Sequence, residues 1–430
     1  MAIKTRYREI QDGFVLQKDE LYKKLWDLEP HLAANGTPIT WNKAVDFSVF
    51  DDHGNKWIDM TSGIFVANAG HANPFIIEAI KKQLDANLLF SYTYPTDIRQ
   101  KFLSKLLELS PPHFNKALLL NSGSEVMGAA YKLVKLWAKK QHRRYIITFR
   151  GSYHGQGLGN DFICGSPEKG DWSGVKDSDV IFLDFPYRAN DRFDPKSLRL
   201  PSGDQIPADQ IAGFFLETFQ GWGAWFYPQQ YIDSLYAFAK NSGALVCFDE
   251  MQAGFYRLGP LYGYMTYGDL QPDIICLGKG ITSSLPLSAV LSRAEIIDDK
   301  EADLHGTHSG NPLCCAAGLA NIEFLSDPNF IAERQRTMNI FQAGLEGLIR
   351  FPLVKMVNVR GMIAGLIFHD TDAATRVVMK CIGNGVLPVC TFKHSIKLAP
   401  PLTIDAHALY EAIDVVSEAI RSVAIEDETK

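Results

Sequence analysis

The chain has 430 residues, 46% of them hydrophobic and 21% charged, and a formal net charge of −6 from 43 basic and 49 acidic residues. This length and composition are typical of a globular enzyme with more than one structural unit. The net charge is mildly acidic, and the sequence contains no long run of residues of one charge sign. This argues against nucleic acid or an anionic membrane as a partner.

The seven cysteines are scattered and lie mostly within apolar runs, which indicates reduced thiols. Without a paired-cysteine or histidine-rich motif, the sequence predicts no metal site. The N-terminus lacks the apolar stretch of a secretory signal, and no segment reaches the roughly 18 apolar residues of a membrane span. We therefore expect a cytoplasmic protein that does not enter a membrane.

In chain order, the first predicted elements are a helical and hairpin-like segment with a polar turn at residues 51–55. Short apolar runs then alternate with amphipathic stretches, the pattern of βα units around a mostly parallel sheet. The candidate strands are Lys116–Leu120, Tyr145–Phe149, Val180–Leu183, Ile211–Glu217, Ala244–Asp249, Ile274–Leu277 and Leu287–Ser292. Apolar residues at helical spacing predict helices over Glu125–Lys140 and Pro312–Leu325.

These elements favour an α/β fold with two domains. Residues 61–311 are expected to form a large domain, in which helices flank a mostly parallel sheet. Residues 312–430 alternate short strands and helices, so we expect a smaller α+β domain there, completed by the N-terminal residues 1–60.

The first chemical motif is a carboxylate pair, Asp249-Glu250, at the end of the predicted strand ALVCFDE. Ligands of parallel sheets bind beyond the carboxyl ends of the strands. A carboxylate there can pair with a protonated pyridine nitrogen and keep the ring electron-deficient. The alternative is an ordinary helix cap or a satisfied polar pair at a strand end.

The second motif is Gly278-Lys279-Gly280, which follows the apolar run DIICLG. A lysine amine forms Schiff bases with carbonyl compounds, and burial lowers its pKa. A nucleotide-binding P-loop is rejected, because its pattern requires glycine where the chain has Asp273 and serine or threonine where it has Gly280.

Two weaker motifs precede these. Asn121-Ser122-Gly123-Ser124-Glu125 opens the first predicted helix, where free N–H groups, hydroxyls and the positive helix end favour a phosphate, although a plain capping motif looks similar. Tyr153-His154-Gly155 follows the strand YIITF and offers an aromatic face for stacking on a ring.

Together these motifs resemble the class III aminotransferases of pyridoxal 5'-phosphate (PLP) fold type I, from about Asp46 to Ile420. The matching stretches stand in the family's order: NSGSE, FRGSYHG, ETFQG, FDEMQAGFYRLG, PDIICLGKGI, HGTHSGNPL, NVRGM and KLAPPLTI. The resemblance implies PLP as cofactor and transfer of an amino group between a small-molecule donor and a carbonyl acceptor.

The resemblance also implies roles for individual residues. The cofactor-binding set is Ser122, Gly123, Ser124, Tyr153, His154, Glu217, Asp249, Gln252, Lys279 and Thr307. Lys279 would hold the cofactor and shuttle a proton, and Asp249 would bind the pyridine nitrogen; these two are the catalytic pair. Gln252 would bind the ring hydroxyl, Tyr153 would stack on the ring, and Gly123 with Ser124 would hold the phosphate. Glu217 would support the acidic shell, unless it is an ordinary strand-end carboxylate.

Thr307 matches a threonine that reaches the phosphate of the neighbouring subunit, so the resemblance implies a homodimer with shared active sites. The chain departs from the family at two positions. Glutamate-using members carry arginine where this chain has Lys397, and several carry glutamate where it has Trp222. We expect Lys397 to bind a substrate carboxylate, and Phe65 and Trp222 to shape an aromatic pocket.

Trp225 and Tyr92 are further candidates for that pocket or ordinary core residues. We expect glutamate as the donor and a terminal aldehyde or ketone as the acceptor, with an oxidised octulosonate, a sugar acid, as the most specific candidate. The alternative is a racemase or epimerase, an aminomutase or a decarboxylase on the same fold, because these share the early cofactor chemistry.

Overall fold

A computed structural model describes residues 2–16, 20–31, 39–391 and 393–429. The chain forms two compact units: a large one, Pro74–Phe330, and a small one that combines Met1–Asn73 with Ile331–Lys430. The expected boundaries after residues 60 and 311 therefore lie farther along the chain. The helix Pro312–Leu325 packs on helices Pro74–Asp85 and Asp97–Leu109, so it belongs to the large unit and not to the smaller one.

The small unit begins with short elements: β1 (Ile3–Lys4), β2 (Glu9–Ile10), α1 (Glu20–Leu28), β3 (Lys43–Val45), β4 (Ser48–Phe50), β5 (Lys56–Asp59) and α2 (Ser62–Phe65). The large unit contains α3 (Pro74–Asp85), α4 (Asp97–Leu109), β6 (Lys116–Leu120), α5 (Gly123–Lys140), β7 (Tyr145–Phe149), α6 (Leu158–Asp161), β8 (Val180–Leu183), β9 (Ile211–Glu217), β10 (Phe219–Gln220), β11 (Trp225–Phe226), α7 (Gln229–Ser242), β12 (Leu245–Asp249), β13 (Ile274–Leu277), β14 (Ser288–Ser292), α8 (Ala294–Ile297) and α9 (Pro312–Leu325).

The C-terminal part of the chain contains α10 (Pro328–Glu346), β15 (Val354–Arg360), β16 (Ile363–Phe368), α11 (Thr371–Gly383), β17 (Val386–Leu387), β18 (Val389–Cys390), β19 (Ser395–Leu398) and α12 (Ala406–Glu428). Short 3-10 helices lie at Pro167–Ser173, Pro195–Ser197, Ala208–Gln210, Gly263–Tyr267, Lys279–Ile281 and Gly347–Arg350.

The large unit is built on a seven-stranded sheet in the order β6-β14-β13-β12-β9-β7-β8. Every neighbouring pair from β13 to β8 is parallel, whereas β14 is antiparallel to both β13 and β6. The mostly parallel sheet expected from the sequence is thus confirmed. The predicted strands match, except that β12 begins at Leu245 and β14 at Ser288, one residue later than expected.

Helix α5 covers one face of this sheet. It begins at Gly123, two residues earlier than predicted, because Ser122 and Glu125 form a capping box around its first turn. Its apolar face, including Val126, Ala130 and Leu133, packs into a core with inward-facing strand residues such as Phe215 and Cys276. The capping box and this packing fix where the helix N-terminus lies at the edge of the sheet.

The small unit contains two sheets. In the first, β17 pairs in parallel with β5, so this sheet takes strands from both ends of the chain. The second sheet has the antiparallel order β15-β16-β19-β18. Among the helices that the structure describes, none is both long and apolar enough to cross a membrane.

Candidate active site

The predicted chemical motifs meet at one edge of the large sheet. Asp249 at the end of β12 is in register with Glu217 on β9 and with Cys276 on β13, which leads directly to Lys279. Because β14 is antiparallel to both neighbours, β6 points the same way as β13 and delivers the Ser122 turn to this edge as well. The carboxyl ends of four strands therefore converge, as expected for a ligand site in such a sheet.

A pocket lies at this edge of the sheet, where ligands of such sheets bind. Its lining includes most of the residues singled out in the sequence: Ser122, Gly123, Ser124, Tyr153, His154, Glu217, Asp249, Gln252 and Lys279. The lining also includes Met127, Gly155, Thr218, Phe219, Met251 and Ala253.

Asp249 is buried, and both of its carboxylate oxygens are held. His154 Nδ1 donates to Oδ2 over 2.9 Å, and the backbone N–H of Met251 donates to Oδ1 over 3.0 Å. Two hydrogen bonds from different segments restrict rotation of the carboxylate, so its orientation in the pocket is fixed before any ligand binds. His154 is buried as well, and its Nε2 has no hydrogen-bond partner among the described residues.

Glu217 is a second buried carboxylate in the pocket. Its Oε2 accepts from the Tyr153 N–H at 3.2 Å and its Oε1 from the Gly221 N–H at 3.1 Å. Burial raises the pKa of Glu217 to about 7, while the neighbouring His154 opposes this rise and the neighbouring Asp249 adds to it. Glu217 therefore ties two loops to the pocket and changes charge near neutral pH.

Lys279 lies in a tight turn between Gly278 and the buried Gly280, with a left-handed backbone at φ 44°. A left-handed conformation is uncommon for a residue with a side chain and is often found at functional sites. Burial lowers the pKa of the Lys279 amine, while the charges of Asp249 and Glu217 raise it. The net lowering increases the neutral, nucleophilic fraction of the amine.

The turn before α5 is both a cap and a candidate anion site. The N–H groups of Asn121 and Ser122 donate to Glu125 Oε2, and the Ser122 hydroxyl accepts from the Glu125 N–H. The capping alternative considered from the sequence is therefore present. At the first turn, Gly123 and Ser124 still direct N–H groups along the helix axis, where an anion is favoured.

Met251 packs tightly against two of the motif glycines. A Cβ atom on Gly123 would lie 3.0 Å from the Met251 sulfur, and one on Gly278 would lie 2.5 Å from it. Both distances are shorter than an ordinary contact, so a side chain at either position would require the Met251 thioether to move. The side chain of Met251 thus joins the turn before α5 to the turn that carries Lys279.

The remaining pocket residues are Tyr153 and Gln252. The Tyr153 ring is about half exposed, and Lys169 Nζ lies 5.2 Å from its centroid, a cation–π arrangement. A Cβ atom on Gly221 would lie 2.6 Å from Gln252 Nε2, so the amide of Gln252 packs against the loop that Glu217 holds.

Known proteins are similar to this chain over most of its length. The profile of the family Aminotransferase class-III matches residues 32–420. The chain belongs to the class III aminotransferases. The 2-aminoadipate transaminase of Pseudomonas putida is 30% identical and covers 89% of this chain and 96% of its own length. The isoleucine 2-epimerase of Lentilactobacillus buchneri is 28% identical over 93% of this chain and 95% of its own.

A crystal structure of a transaminase from the marine bacterium Virgibacillus has a TM-score of 0.84 and 26% identity, and the alignment covers 95% of this chain and 99% of that one. The expected fold type I and the expected family are confirmed. This class III aminotransferase is accordingly a PLP-dependent transaminase.

The pocket fits PLP by the chemistry of its residues. A fixed carboxylate, Asp249, suits a protonated pyridine nitrogen, and the amine of Lys279, with its lowered pKa, suits the aldehyde. The first turn of α5 suits the phosphate, and the half-exposed Tyr153 offers a face to the ring. All of these features line one pocket, so the pyridine nitrogen, the aldehyde, the phosphate and the ring face of the cofactor each have a matching feature of the chain.

Phe65 and Lys397 belong to the small unit of this aminotransferase. Lys397 is buried in β19, and its Nζ lies 4.0 Å from the centroid of the Phe65 ring. Phe65 ends a run of four residues with left-handed backbone, Ser62 to Phe65, with φ between 50° and 69°. The buried Asp59 carboxylate accepts from the N–H groups of Thr61 and Gly63 and so supports this run.

Thr307 lies in the loop before α9 and is exposed, and it does not line the pocket described in the large unit. The same loop contacts the segment before α4: His308 lies 5.2 Å from Phe90, and His305 lies 6.3 Å from Tyr92, between ring centroids. Tyr92 is therefore a surface residue of the large unit and not part of its core.

The sequence placed Glu250 in the first chemical motif but assigned it no role of its own. Glu250 is fully buried and accepts from the N–H groups of Gly263 and Tyr264, at 2.6 and 2.8 Å, and from the Thr218 hydroxyl. It anchors the loops after β9 and β12 to each other. Its position beside Asp249 was a usable signal, because consecutive strand residues point to opposite faces of a sheet and so take different roles.

Proposed function

We propose that this class III aminotransferase transfers an amino group from an amino-acid donor, glutamate, to a terminal aldehyde or ketone, with an oxidised octulosonate as acceptor. The observation that carries the acceptor proposal is the aromatic residue Trp222 in the loop next to Glu217. The Gly221 N–H donates to the Glu217 carboxylate, so Trp222 is the next residue after a backbone contact of the cofactor pocket. An aromatic side chain there favours an acceptor with an extended C–H surface over a second dicarboxylate.

Bound PLP supplies a conjugated electron sink for the substrate carbon. Lys279 would hold the cofactor through its amine and afterwards accept and return a proton at Nζ. Burial lowers the pKa of this amine, which makes the neutral form more available for both tasks. The left-handed turn at Gly278-Lys279 keeps the amine at the carboxyl edge of the sheet.

Asp249 would pair with the pyridine nitrogen. The His154 ring and the Met251 N–H hold its two oxygens, so the negative charge needs little reorganisation when a positive charge forms nearby. Glu217, whose pKa burial raises to about 7, adds a group that can take up a proton without introducing a second fixed negative charge.

For the donor, Lys397 would bind a carboxylate. Its ammonium lies over the Phe65 ring at 4.0 Å, and a cation held by an aromatic face keeps its charge for an anionic ligand. A lysine is a point charge without the planar fork of arginine. We therefore infer a single-point contact that tolerates donors of different length.

For the acceptor, Trp222 and its neighbour Trp225, whose ring centroid is 5.8 Å away, offer π faces with negative potential. Such faces attract the weakly positive C–H edges of a sugar chain. A terminal aldehyde on a polyhydroxylated acid would place its reactive carbon toward Lys279 while its chain contacts these rings.

The test is a pair of half-reactions on purified holoenzyme. Amino donors are mixed with the PLP form, and carbonyl acceptors with the aminated form, and the cofactor absorbance is followed. We expect glutamate to aminate the cofactor, and an octulosonate with an aldehyde at its terminal carbon to restore it. If glutamate fails in the first step, or only short aliphatic aldehydes work in the second, the corresponding half of the proposal is wrong.

The 28% identity to isoleucine 2-epimerase over 93% of this chain favours a second candidate, epimerisation at the α-carbon. An epimerase would invert L-isoleucine in D₂O without accumulating aminated cofactor, and chiral chromatography would detect the D-isomer. We expect net amination of the cofactor in a single turnover instead.

We further propose that active sites are shared within a homodimer, with Thr307 reaching the phosphate site of the partner. Its exposure in the loop before α9 leaves the side chain available to another subunit. Mixing inactive Lys279→Ala and Thr307→Ala subunits should restore part of the activity, because one of the two sites in a heterodimer is then intact. A mixture as inactive as its parents would contradict the shared site.

A further inference from the structure

Three aromatic rings form a cluster beside the pocket of the large unit. Trp222 and Trp225 come from the hairpin β10–β11 that follows β9, and Tyr187 comes from the loop after β8. The Tyr187 ring lies 4.9 Å from Trp225 at 82° and 6.5 Å from Trp222 at 63°. Tyr187 is about half exposed and Trp222 is partly exposed. We call these three residues the aromatic cluster.

The buried amide of Gln220 holds two members of this cluster. Gln220 Nε2 donates to the Arg150 carbonyl at 2.6 Å, which settles the orientation of the amide. Gln220 Oε1 then accepts from both the Trp222 indole N–H and the Tyr187 hydroxyl, each at 3.1 Å. One amide thus connects the loops after β7, β8 and β9.

The chain makes room for this amide at Gly151. A Cβ atom there would lie 3.3 Å from both Nε2 and Oε1 of Gln220, and the backbone is left-handed at φ +82°. The Gly151 N–H donates to the Gly165 carbonyl at 2.7 Å, which keeps the turn closed. The backbone conformation at Gly151, and not only side-chain packing, therefore determines where the amide of Gln220 lies.

This arrangement decides which parts of the rings a ligand meets. The polar tips of Trp222 and Tyr187 point to Gln220, so the exposed parts of these side chains are π faces and apolar edges. Trp225 Nε1 is buried without a hydrogen-bond partner among the described residues, and such a donor is costly unless a ligand or water pairs with it. The exposed π faces of Trp222 and Tyr187 match the C–H faces of a sugar chain.

We propose that the aromatic cluster is the subsite for the polyhydroxylated chain of the acceptor, and that Gln220 is a positioning residue that fixes the rings of Trp222 and Tyr187. This inference rests on the proposed function, since it takes the acceptor to be a sugar-acid aldehyde. In this proposal Tyr187 is a specificity-determining residue, although no sequence motif points to it.

The positioning part is tested without any acceptor. The chain has seven tryptophans, so holoenzyme labelled with 5-fluorotryptophan should give seven ¹⁹F resonances, and Trp222→Phe identifies that of Trp222. In Gln220→Leu, which keeps the volume but removes the amide, the Trp222 resonance should shift and broaden. Trp172, on the exposed surface, serves as an internal reference that should not move. An unchanged Trp222 resonance would overturn the role of Gln220.

The subsite part is tested by separating the two half-reactions. In Gln220→Leu and Tyr187→Phe, we expect the KM for the octulosonate aldehyde to rise, on the order of tenfold for Gln220→Leu because the two neutral hydrogen bonds that hold the rings are lost. Amination of the cofactor by glutamate should stay within about twofold. Tyr236→Phe, which removes a hydroxyl bonded to the Gln271 backbone on the surface, is the matched control and should change neither step.

The outcomes separate the two proposals. Equal slowing of both half-reactions in Gln220→Leu would indicate a general structural role and overturn the subsite. An unchanged KM in both variants would overturn it as well. If glutamate aminates the cofactor but the wild-type enzyme accepts no sugar-acid aldehyde, the acceptor proposal is wrong. The ring-positioning role of Gln220 is then decided by the ¹⁹F result alone.

Discussion

Replacing Asp249 by asparagine removes one negative charge from the pocket with little change in shape. The carboxylate accepts from His154 Nδ1 and from the Met251 N–H, and an asparagine Oδ1 can still accept from Met251. What is lost is the ionic partner of the pyridine nitrogen. A preorganised electrostatic contact stabilises a transition state by about 2.7 to 4 kcal/mol. Each 1.36 kcal/mol of lost stabilisation slows the rate by about a factor of ten. We therefore expect amination by glutamate to slow by about 10² to 10³-fold.

The assay is stopped-flow absorbance of the cofactor with saturating glutamate, and the unfolding midpoint in urea checks the fold. Asp269→Asn, on an exposed turn of the same unit, is the matched control and should keep the wild-type rate. A rate within about threefold of wild type for Asp249→Asn, with cofactor bound, would refute the electrostatic role. A large loss of stability in parallel with the rate would instead point to a structural role.

Three further predictions concern buried charges. Burial lowers the pKa of Lys279, so the rate at which apoenzyme takes up PLP should rise with pH and level off below 10.5, the ordinary pKa of a lysine; a rise that continues to pH 10.5 would contradict this. Glu250→Gln should destabilise the enzyme by about 3 kcal/mol in urea unfolding, because a buried acceptor of three hydrogen bonds is replaced by a group that donates on one side. Since burial also raises the pKa of Glu250 from 4.5 to about 7, the folded state binds more protons than the unfolded state in that window, and this contribution to stability falls as the pH rises through it. The fall should be smaller in Glu250→Gln, and the part due to Glu217, whose pKa burial also raises to about 7, should remain. Lys397→Ala should raise the KM for glutamate about 10 to 100-fold, the range of one charged hydrogen bond, while PLP binding is retained. Lys397→Arg should also have a raised KM for glutamate. Lys397 is buried and the centroid of the Phe65 ring is only 4.0 Å from its Nζ, which leaves little room for the larger guanidinium group.

The strands of the large sheet could be predicted closely because each is a short apolar run that ends at a polar or glycine residue. Strand direction could not be inferred in the same way, since the run around β14 reads like its parallel neighbours. The connection from β13 to β14 contains only the short 3-10 helix Lys279–Ile281. A parallel pair needs a longer crossover, so the absence of a helical stretch there was the signal for an antiparallel strand.

The division into two compact units differs from the expected domain boundary at helix α9 for a physical reason. Helix α9 is apolar on nearly all sides, and α3 and α4 both pack against it. A helix that is apolar all round shows no face that distinguishes one neighbour from another. Its assignment depends on which elements surround it, and the sequence pattern does not contain that information.

The motif residues of the site could be selected from the sequence, but their mutual contacts could not. His154 and Asp249 are 95 positions apart, and neither strand-end motif indicates which side chain meets which. The left-handed run that ends at Phe65 is likewise invisible, because Ile64 and Phe65 individually disfavour that backbone. Contacts within the small unit, such as the Ser62 hydroxyl to the Ala399 carbonyl at 2.6 Å, hold it in place.

The position of Met251 between Gly123 and Gly278 makes these three residues mutually dependent in any engineered variant. Adding a methyl group at either glycine alone brings a carbon within 3.0 Å of the sulfur, so each single change should look harmful. Shortening Met251 first would open space for both additions. A combinatorial library that varies the three codons together should therefore recover active sequences that stepwise single-site mutagenesis rejects.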